Sequence, residues 1–440
     1  MTALNATGPH PGAAGSPPPD PSGPCPGIPL DAGHHPSHLG LIGQVPSYFS
    51  GPRSRLSGVM VPTHRGALVG SGLSLAAQCA EATDAQLVVL RSGAASTETF
   101  PRFLSPRTSR PVAVIDLPDR LPGLFPECRT RHHRVDTLHR GSDLGFKRNL
   151  GLVLGVMCGF ETVLMLDDDI STTPASRGLL HSVMEPVVPS LRLDDVGADF
   201  AACPDLRVVG YVVEDFDDNS VVCHLRRLLG RPQESFIGGG AMVVRPGPDL
   251  PFFPSTYNED WLFFFSLMLE GRSVRPSSAV KGVGSLHQQP FNPYSASRAR
   301  AEELGDILAE GLFSLLGSRR EEVLRLATSP DYWRERVWQR QTMLFSLGSE
   351  LRWRQPSFSS GLYVDADEAL RASLAVIGSV ADAAGELARY MRDFVLDLED
   401  WHTLLEKVSP ASTGDALSLE EAVSVLGLGR CVTVEQVRGR

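Results

Sequence analysis

Between Leu56 and Leu166 four short apolar runs alternate with segments of helical period, and that alternation narrows the fold more than any other feature of the chain. The runs are SGVMVPTHR from Ser57, LVVL at 87–90, VAVIDL at 112–117 and TVLML at 162–166. Each is short and continuously apolar, as a strand buried on both faces must be. Helical patterns lie near 70–82 and over 143–159, where Phe146, Leu150, Val153, Leu154 and Met157 fall on one face. Strands separated by helices predict βαβ units, and so an α/β architecture with a mostly parallel sheet flanked by helices. RVVGYVVED (207–215) and GAMVVR (240–245) add two strands. WLFFFSLML (261–269) is apolar all round and predicts a buried helix.

The flanks differ in character. Residues 1–52 are rich in Pro and Gly (GPHPGAAGSPPPDPSGPCPG) and cannot bury enough apolar surface to offset their ordering entropy. They predict a disordered tail, with Tyr48 and Phe49 at its end as the residues able to dock on the fold. Residues 53–295 read as the α/β domain, 296–408 as a helical C-terminal region, and 409–440 as small helices or a loose tail. A net charge of -10 argues against a bulk nucleic-acid binder, which carries a basic excess. The longest strongly apolar stretch, Trp261–Leu269, is far short of the ~20 residues that a membrane span needs. No basic and apolar leader pattern opens the chain, and its seven cysteines form no C-x-x-C pair. A zinc ribbon or disulfide framework is therefore disfavoured, and a reducing cytoplasm is the expected setting. Of 41 basic residues only three are lysines, a bias associated with GC-rich bacterial genomes.

Chemistry concentrates at four places. Asp167-Asp168-Asp169 follows the TVLML strand directly, and ligands of α/β sheets bind beyond the carboxyl ends of strands. Three adjacent carboxylates repel one another, and Mg²⁺ or Mn²⁺ would relieve that repulsion through hard oxygen ligands. In an extended segment Asp167 and Asp169 would point to the same side. A solvated acidic turn or a helix cap is the alternative. Lys147 and Arg148 lie in the first turns of a helix that Asp143 is placed to cap. There they oppose the helix dipole at a cost of roughly 0.3–1 kcal/mol, which an anionic ligand would reverse. Pointing to water or pairing with the aspartates is the other outcome. Asn258-Glu259-Asp260 opens the buried helix, where capping alone would account for all three, or where desolvation makes a carboxylate a base. His287, after the apparent strand ending GVGSL, is a metal ligand or a satisfied histidine.

The order of these pieces carries more than any one of them. KRNLGLVLGVMCGFETVLMLDDDI (147–170), SFIGGGAMVVRPG with PFFPSTYNEDWLFFF (235–265), and VPTHR (61–65) resemble the GT-A nucleotide-sugar glycosyltransferases, in their family-2-like form. They are also similar to the glucosyl-3-phosphoglycerate synthase group. The resemblance spans about residues 56–295. It implies a Rossmann-like nucleotide-diphospho-sugar transferase fold and transfer of a sugar to an acceptor hydroxyl with Mn²⁺ or Mg²⁺. On this resemblance Asp167, Asp169 and His287 are the metal residues. Thr63, Arg65, Ser92, Asp116, Lys147, Arg148, Asp167 and Asp168 face the donor. Gly238, Gly239 and Gly240 admit the acceptor or sugar, or else mark a strand bulge. Asp260 is the base, with Glu259 second.

Two departures stand out. The second strand ends Leu90-Arg91-Ser92-Gly93 without the family's acid, leaving Asp116 to contact the nucleoside. Gln339-Arg340-Gln341 does not match the QxxRW signature, which disfavours a processive membrane-embedded polymerase. A sugar-1-phosphate nucleotidyltransferase is the rival enzyme, but VPTHRGALVGSG lacks the Gly-rich, Arg-containing pattern expected of its first loop. A non-catalytic GT-A scaffold acting as a binding module is the rival of another class. In the C-terminal region the helices are candidates for a homo-oligomer contact. Arg334, Arg336, Arg340, Arg352 and Arg354 there read as a basic cluster, facing a phosphorylated acceptor, an anionic membrane or only water.

Overall fold

The computed structural model describes residues 52–64, 71–92, 99–104, 107–117, 123–136, 143–172, 191–214, 220–230, 237–276, 286–288, 296–355, 359–428 and 431–433. The tail expected over 1–52 falls, but for Pro52, outside them, as does Arg65. The first strands are β1 (Leu56–Thr63), β2 (Gln86–Arg91), β3 (Val112–Asp116) and β4 (Thr162–Leu166). They are followed by β5 (Ile170–Ser171), β6 (Leu206–Glu214), β7 (Ile237–Val244), β8 (Ser273–Pro276), β9 (Leu286–Gln288) and β10 (Cys431–Thr433). The helices of the α/β part are α1 (Ser71–Thr83), α2 (Thr99–Leu104), α3 (Leu144–Met157), α4 (Leu193–Ala202), α5 (Val221–Leu228) and α6 (Glu259–Leu269). Those beyond it are α7 (Ala296–Phe313), α8 (Arg320–Ala327), α9 (Pro330–Arg354), α10 (Ser360–Ile377), α11 (Val380–Val408), α12 (Pro410–Thr413) and α13 (Leu419–Val425).

Alternation along the strands divides the interior into two cores. Val59 and Val61 of β1, Leu87 and Val89 of β2, and Leu164 and Leu166 of β4 pack on α1, α2 and α4. Met60, Val88, Leu90, Val163 and Met165 face the opposite layer of α3, α6 and the C-terminal helices. Every strand position meets apolar neighbours, which is why these runs are continuously hydrophobic. Among the described residues the strands form one sheet in the order β10-β3-β2-β1-β4-β7-β6-β9-β5, with β8 also on β6. The β3-β2-β1-β4 half is parallel, as expected, and β7 enters antiparallel between β4 and β6. That insertion lays the glycines of β7 beside the end of β4.

The C-terminal chain is built into this frame. Trp401 of α11 donates from Nε1 to the Leu250 carbonyl at 2.9 Å. Asp397 accepts from the backbone N–H of Arg129 and of Thr130, both at 2.9 Å, and from Thr130 Oγ1 at 2.8 Å. Beyond 409, where small helices or a loose tail were expected, α13 carries a complete capping box on Ser418 and Glu421, and β10 pairs antiparallel with β3. One member of the expected basic cluster turns to the interior. Arg340 is buried and pairs with Asp306 at 2.8 Å, Arg334 pairs with Asp331, and Arg354 with Glu350. Arg340 thus pairs across to α7, whereas Arg334 and Arg354 pair with acids one turn away on their own helix. No helix among the described residues is long and apolar enough to cross a membrane.

Asp397→Ala would strip four donors of residues 129–130, the two backbone N–H groups, Thr130 Oγ1 and Arg129 Nη1, of their buried acceptor. We expect it to lower unfolding free energy by about 2–4 kcal/mol. Denaturant titration checks this; an unchanged midpoint would show that α11 does not hold that segment.

Candidate active site

The residues singled out from sequence converge at the carboxyl ends of β1 to β4, where chains leave the sheet and ligands are met. Thr63 ends β1 and is buried; its hydroxyl donates to Asp168 Oδ2 at 2.5 Å. Arg91 and Asp116 end β2 and β3 in register, and Arg91 Nε donates to Asp116 Oδ1 at 2.5 Å. The role expected of Asp116 toward a nucleoside is thus shared with an ion pair to its strand neighbour. Ser92, just past β2, donates its backbone N–H to the Thr63 carbonyl at 3.1 Å.

The three aspartates form a tight turn. The Ile170 N–H donates to the Asp167 carbonyl at 3.2 Å, and the chain reverses into β5. Alternation of an extended strand therefore does not apply, and the expectation that Asp167 and Asp169 share a side is corrected. Asp167 meets Arg148, Asp168 meets Thr63, and Asp169 Oδ2 accepts from Gln288 Nε2 at 3.4 Å. The turn is pinned from outside by α1, whose Gly72 N–H donates to the Asp168 carbonyl at 3.3 Å. A Cβ on Gly72 would lie 2.3 Å from the Asp167 carbonyl oxygen, so only glycine permits this approach.

Arg148 is the centre of the charged cluster. It is buried, donates from Nη2 to both oxygens of Asp167 at 2.8 and 3.1 Å, and pairs through Nη1 with Glu259. Burial acts to lower its pKa, but the carboxylates of Asp167, Glu259 and Asp260 outweigh that and hold it raised. The guanidinium also lies over the Phe253 ring, 5.7 Å from its centroid. Space for it comes from β7. A Cβ on Gly239 would stand 2.8 Å from Arg148 Nη1, and one on Gly240 would stand 3.2 Å from Asp167 Oδ2. The volume expected to admit an acceptor at Gly239 and Gly240 is thus filled by the protein's own charged groups; Gly238 faces Asp260 Oδ2.

Three carboxylates around one guanidinium leave excess negative charge. Asp260 absorbs it. Removal from water and repulsion by Glu259 push its pKa up to about 7, against the pull of Arg148 and of the Gly239 and Trp261 N–H groups. Those groups donate to it at 2.6 and 2.9 Å. Glu259 is also raised, by burial first. The two differ in access: Glu259 is buried in its ion pair, whereas Asp260 keeps partial exposure. Asn258 precedes them in the left-handed region at φ 61°, and its side chain makes no cap. It donates instead from Nδ2 to Asp306 at 3.2 Å, which corrects its expected capping role.

Lys147 points away from Arg148. Its Nζ is buried and donates to Ser92 Oγ at 2.7 Å and to Asp143 Oδ1 at 2.6 Å. Asp143 likewise makes no side-chain cap and is spent on this lysine. Burial lowers the Lys147 pKa, partly offset by Asp143 and Asp168. An ammonium in this state gains from a second anion. His287 is buried in β9, opposite Ser171 of β5 and Glu214 of β6. Pairing of β5 with β9 brings Gln288, its neighbour in sequence, onto Asp169, a long-range consequence with no signal in sequence spacing.

A divalent cation can be tested against these residues. Among the described residues no group of three or more His, Cys, Asp or Glu side chains comes together as a complete metal cage. Mg²⁺ and Mn²⁺ sites that serve phosphate chemistry take only one or two carboxylates, the substrate's oxygens supplying the rest. Asp169 fits that requirement better, its Oδ2 accepting a long contact from a neutral amide. Asp167 does not, since both its oxygens are engaged by a buried guanidinium.

No protein-family profile matches the chain, and no curated protein matches it in sequence. Solved structures do. One is the mannosyltransferase PcManGT from Pyrobaculum calidifontis in complex with GDP-Man and Mn²⁺, 14% identical over 80% of this chain and 90% of that one, with a TM-score of 0.40. A fragment of S. aureus TarS is 15% identical over 82% of this chain and 92% of its own, with a TM-score of 0.35. The galactosyltransferase LgtC, with donor and acceptor sugar analogs, is 12% identical over 60% of this chain and 98% of its own, with a TM-score of 0.26. At such identities what this chain does is decided by its own side chains.

The charge excess has a consequence for stability. Asp260 binds its proton more tightly folded than unfolded, so its contribution is full below about pH 4 and is lost as pH rises through about 7. Unfolding free energy should fall between pH 5 and 8 by an amount that Asp260→Asn removes. Parallel slopes in denaturant titrations of the two proteins would refute this. Arg148→Met, which leaves the acids without their cation, should cost about 3–5 kcal/mol at pH 8 and less at pH 5.

Proposed function

We propose that this protein is a glycosyltransferase, moving a sugar from a nucleotide-diphosphate donor to an acceptor hydroxyl with the help of Mn²⁺ or Mg²⁺. The observation that carries this reading is the pairing, at the carboxyl ends of the parallel strands β1 to β4, of an acidic turn with a buried lysine. In the turn Asp167 and Asp168 meet the charged or hydroxyl groups of Arg148 and Thr63, while Asp169 meets the neutral amide of Gln288. The lysine, Lys147, sits across from it, held by Ser92 and Asp143. A diphosphate is the ligand that both halves suit, because it presents oxygens to a cation and negative charge to an ammonium.

In this reading Asp169 would hold the cation, with His287 as the second residue. The cation would supply Lewis-acid stabilisation of the diphosphate. Lys147 takes up the charge that grows on the phosphate oxygen as the bond from the anomeric carbon breaks. Its low solvation makes that interaction stronger than it would be in water. Thr63 fixes Asp168 and hence the turn. Asp260 is the proton acceptor: the acceptor O–H gives its proton to the carboxylate as its oxygen bonds to the anomeric carbon. A pKa near neutrality suits that role, and partial exposure favours Asp260 over Glu259. This assignment belongs to an inverting course; on a retaining course Asp260 positions the acceptor. Arg148 is a positioning residue, tying the acidic turn to the start of α6.

Calorimetric titration with UDP, GDP and their sugars, with and without Mn²⁺, tests the proposal. One nucleotide should bind only with metal present, and Asp169→Ala should abolish that dependence. Asp260→Asn should keep nucleotide binding while turnover falls by roughly 10²–10⁴. A folded protein that binds no nucleotide with Mn²⁺ present would sink the proposal and return the acidic run to a structural turn.

A further inference from the structure

Asn258 stands two residues before Asp260, at the entry to α6, with its backbone in the left-handed region at φ 61°. Few residues with a side chain rest there, although asparagine tolerates it better than most. Its backbone bears on Asp260 directly. The Asn258 carbonyl accepts from the Trp261 N–H at 3.1 Å and from the Leu262 N–H at 3.2 Å. The same Trp261 N–H donates to Asp260 Oδ1 at 2.9 Å, while Oδ2 accepts from the Gly239 N–H of β7 at 2.6 Å. A rotation of Asn258 would therefore turn a donor on which the Asp260 carboxyl rests.

What holds Asn258 comes from the C-terminal helices. Its Nδ2 donates to Asp306 Oδ1 at 3.2 Å. The other oxygen of Asp306 lies 2.8 Å from Arg340 Nη1, and Glu303 lies 3.7 Å from the same nitrogen. Arg340 is buried; burial acts to lower its pKa, but the carboxylates of Asp306, Glu303 and Glu310 outweigh that and hold it raised. The backbone of α7 closes on the same segment. A Cβ on Gly305 would stand 2.7 Å from the Tyr257 carbonyl oxygen, so α7 meets the residue before Asn258 with nothing between. Two buried guanidinium groups thus reach residues 258–260 from different layers. Arg148 of α3 pairs with Glu259, and Arg340 of α9 reaches Asn258 through Asp306. A buried ion pair adds little net stability, since the loss of hydration offsets its attraction. What this pair supplies is a fixed place for the groups bonded to it.

We infer that Arg340 and Asp306 are positioning residues for Asp260, holding the first turn of α6 through Asn258 so that the carboxyl keeps its place against Gly239 of β7. They act through Asn258 and make no contact with Asp260 themselves. The inference takes from the proposed function that Asp260 is the proton acceptor, and it makes the C-terminal helices part of what orients that acceptor.

Unfolding free energy of the full chain is measured by denaturant titration from pH 5 to 8 for Asn258→Gly, Arg340→Gln and the two together, each with and without Asp260→Asn. Glycine accepts the left-handed backbone, so Asn258→Gly spares the fold while cutting the link. The charges that face Asp260 are Glu259 of its own helix and Arg148 of α3, with Asp167 of β4 beyond the guanidinium, and none of them is changed. A loosened turn admits water, Asp260 then binds its proton less tightly in the folded state, and less stability is lost as pH rises. The part of the fall between pH 5 and 8 that Asp260→Asn removes should shrink to about half or less in each single variant. A purely structural loss would lower stability by the same amount at every pH and leave that part intact. Because the residues act in series, Arg340→Gln should change it no further in the Asn258→Gly background. The inference is overturned if the Asp260-dependent part is unchanged in Asn258→Gly, or if Arg340→Gln acts as strongly in the Asn258→Gly background as alone; where Arg340→Gln does not fold, Asn258→Gly decides. Calorimetry with UDP and GDP in the presence of Mn²⁺ separates this from the proposed function. A parent protein that binds neither nucleotide removes the transfer reaction, whereas intact nucleotide binding with an unchanged pH dependence in Asn258→Gly removes the positioning role alone.

Discussion

A guanidinium taken out of water must be met by carboxylates, and the arrangement around Arg148 follows from that demand. Asp167 comes from the end of β4 and Glu259 from the start of α6, so one side chain joins two elements that are far apart in sequence. The joint passes directly against β7, and only a strand without side chains at Gly239 and Gly240 leaves room for it. The third acid, Asp260, is held toward its neutral form by burial first and by the neighbouring charge of Glu259 second. A structural ion pair thus creates, one residue along, a carboxyl with the acidity of a general base.

The scaffold uses α3 on two sides. Its Lys147 and Arg148 serve the charged site, while Asn149 clamps the Phe253 backbone and Phe146 packs edge-on against Phe125. The C-terminal helices are part of the same body as the sheet. They hold segment 129–134 through Asp397, Asp393 and Glu386, and the chain then returns to pair β10 with β3. A division at residue 295 describes a change in secondary structure more than a separation in space.

Much of the frame was legible because strands buried on two faces must be apolar throughout. TVLML at 162–166 is β4 without a residue's difference, and WLFFFSLML is the buried body of α6. The meeting of Lys147, Arg148, the aspartates and Glu259-Asp260 was legible too, since all of them stand at element ends on one side of the sheet. Their pairings were not. Asp143 and Asn258 looked like caps, yet a lysine one turn along and an aspartate on α7 took their side chains. The arginines of α9 looked like a patch, yet one of them is the buried partner of Asp306.

The sequence by itself determined the order of strands and helices, the burial of the sheet on both faces and the placing of the acidic run at a strand end. These follow from hydrophobic period, which is a local property. Tertiary structure decided which aspartate faces Arg148, which faces Thr63 and which meets Gln288, because a turn in place of a strand abolishes alternation. Such partnerships depend on distances across the fold between segments up to hundreds of residues apart, and no spacing along the chain encodes them.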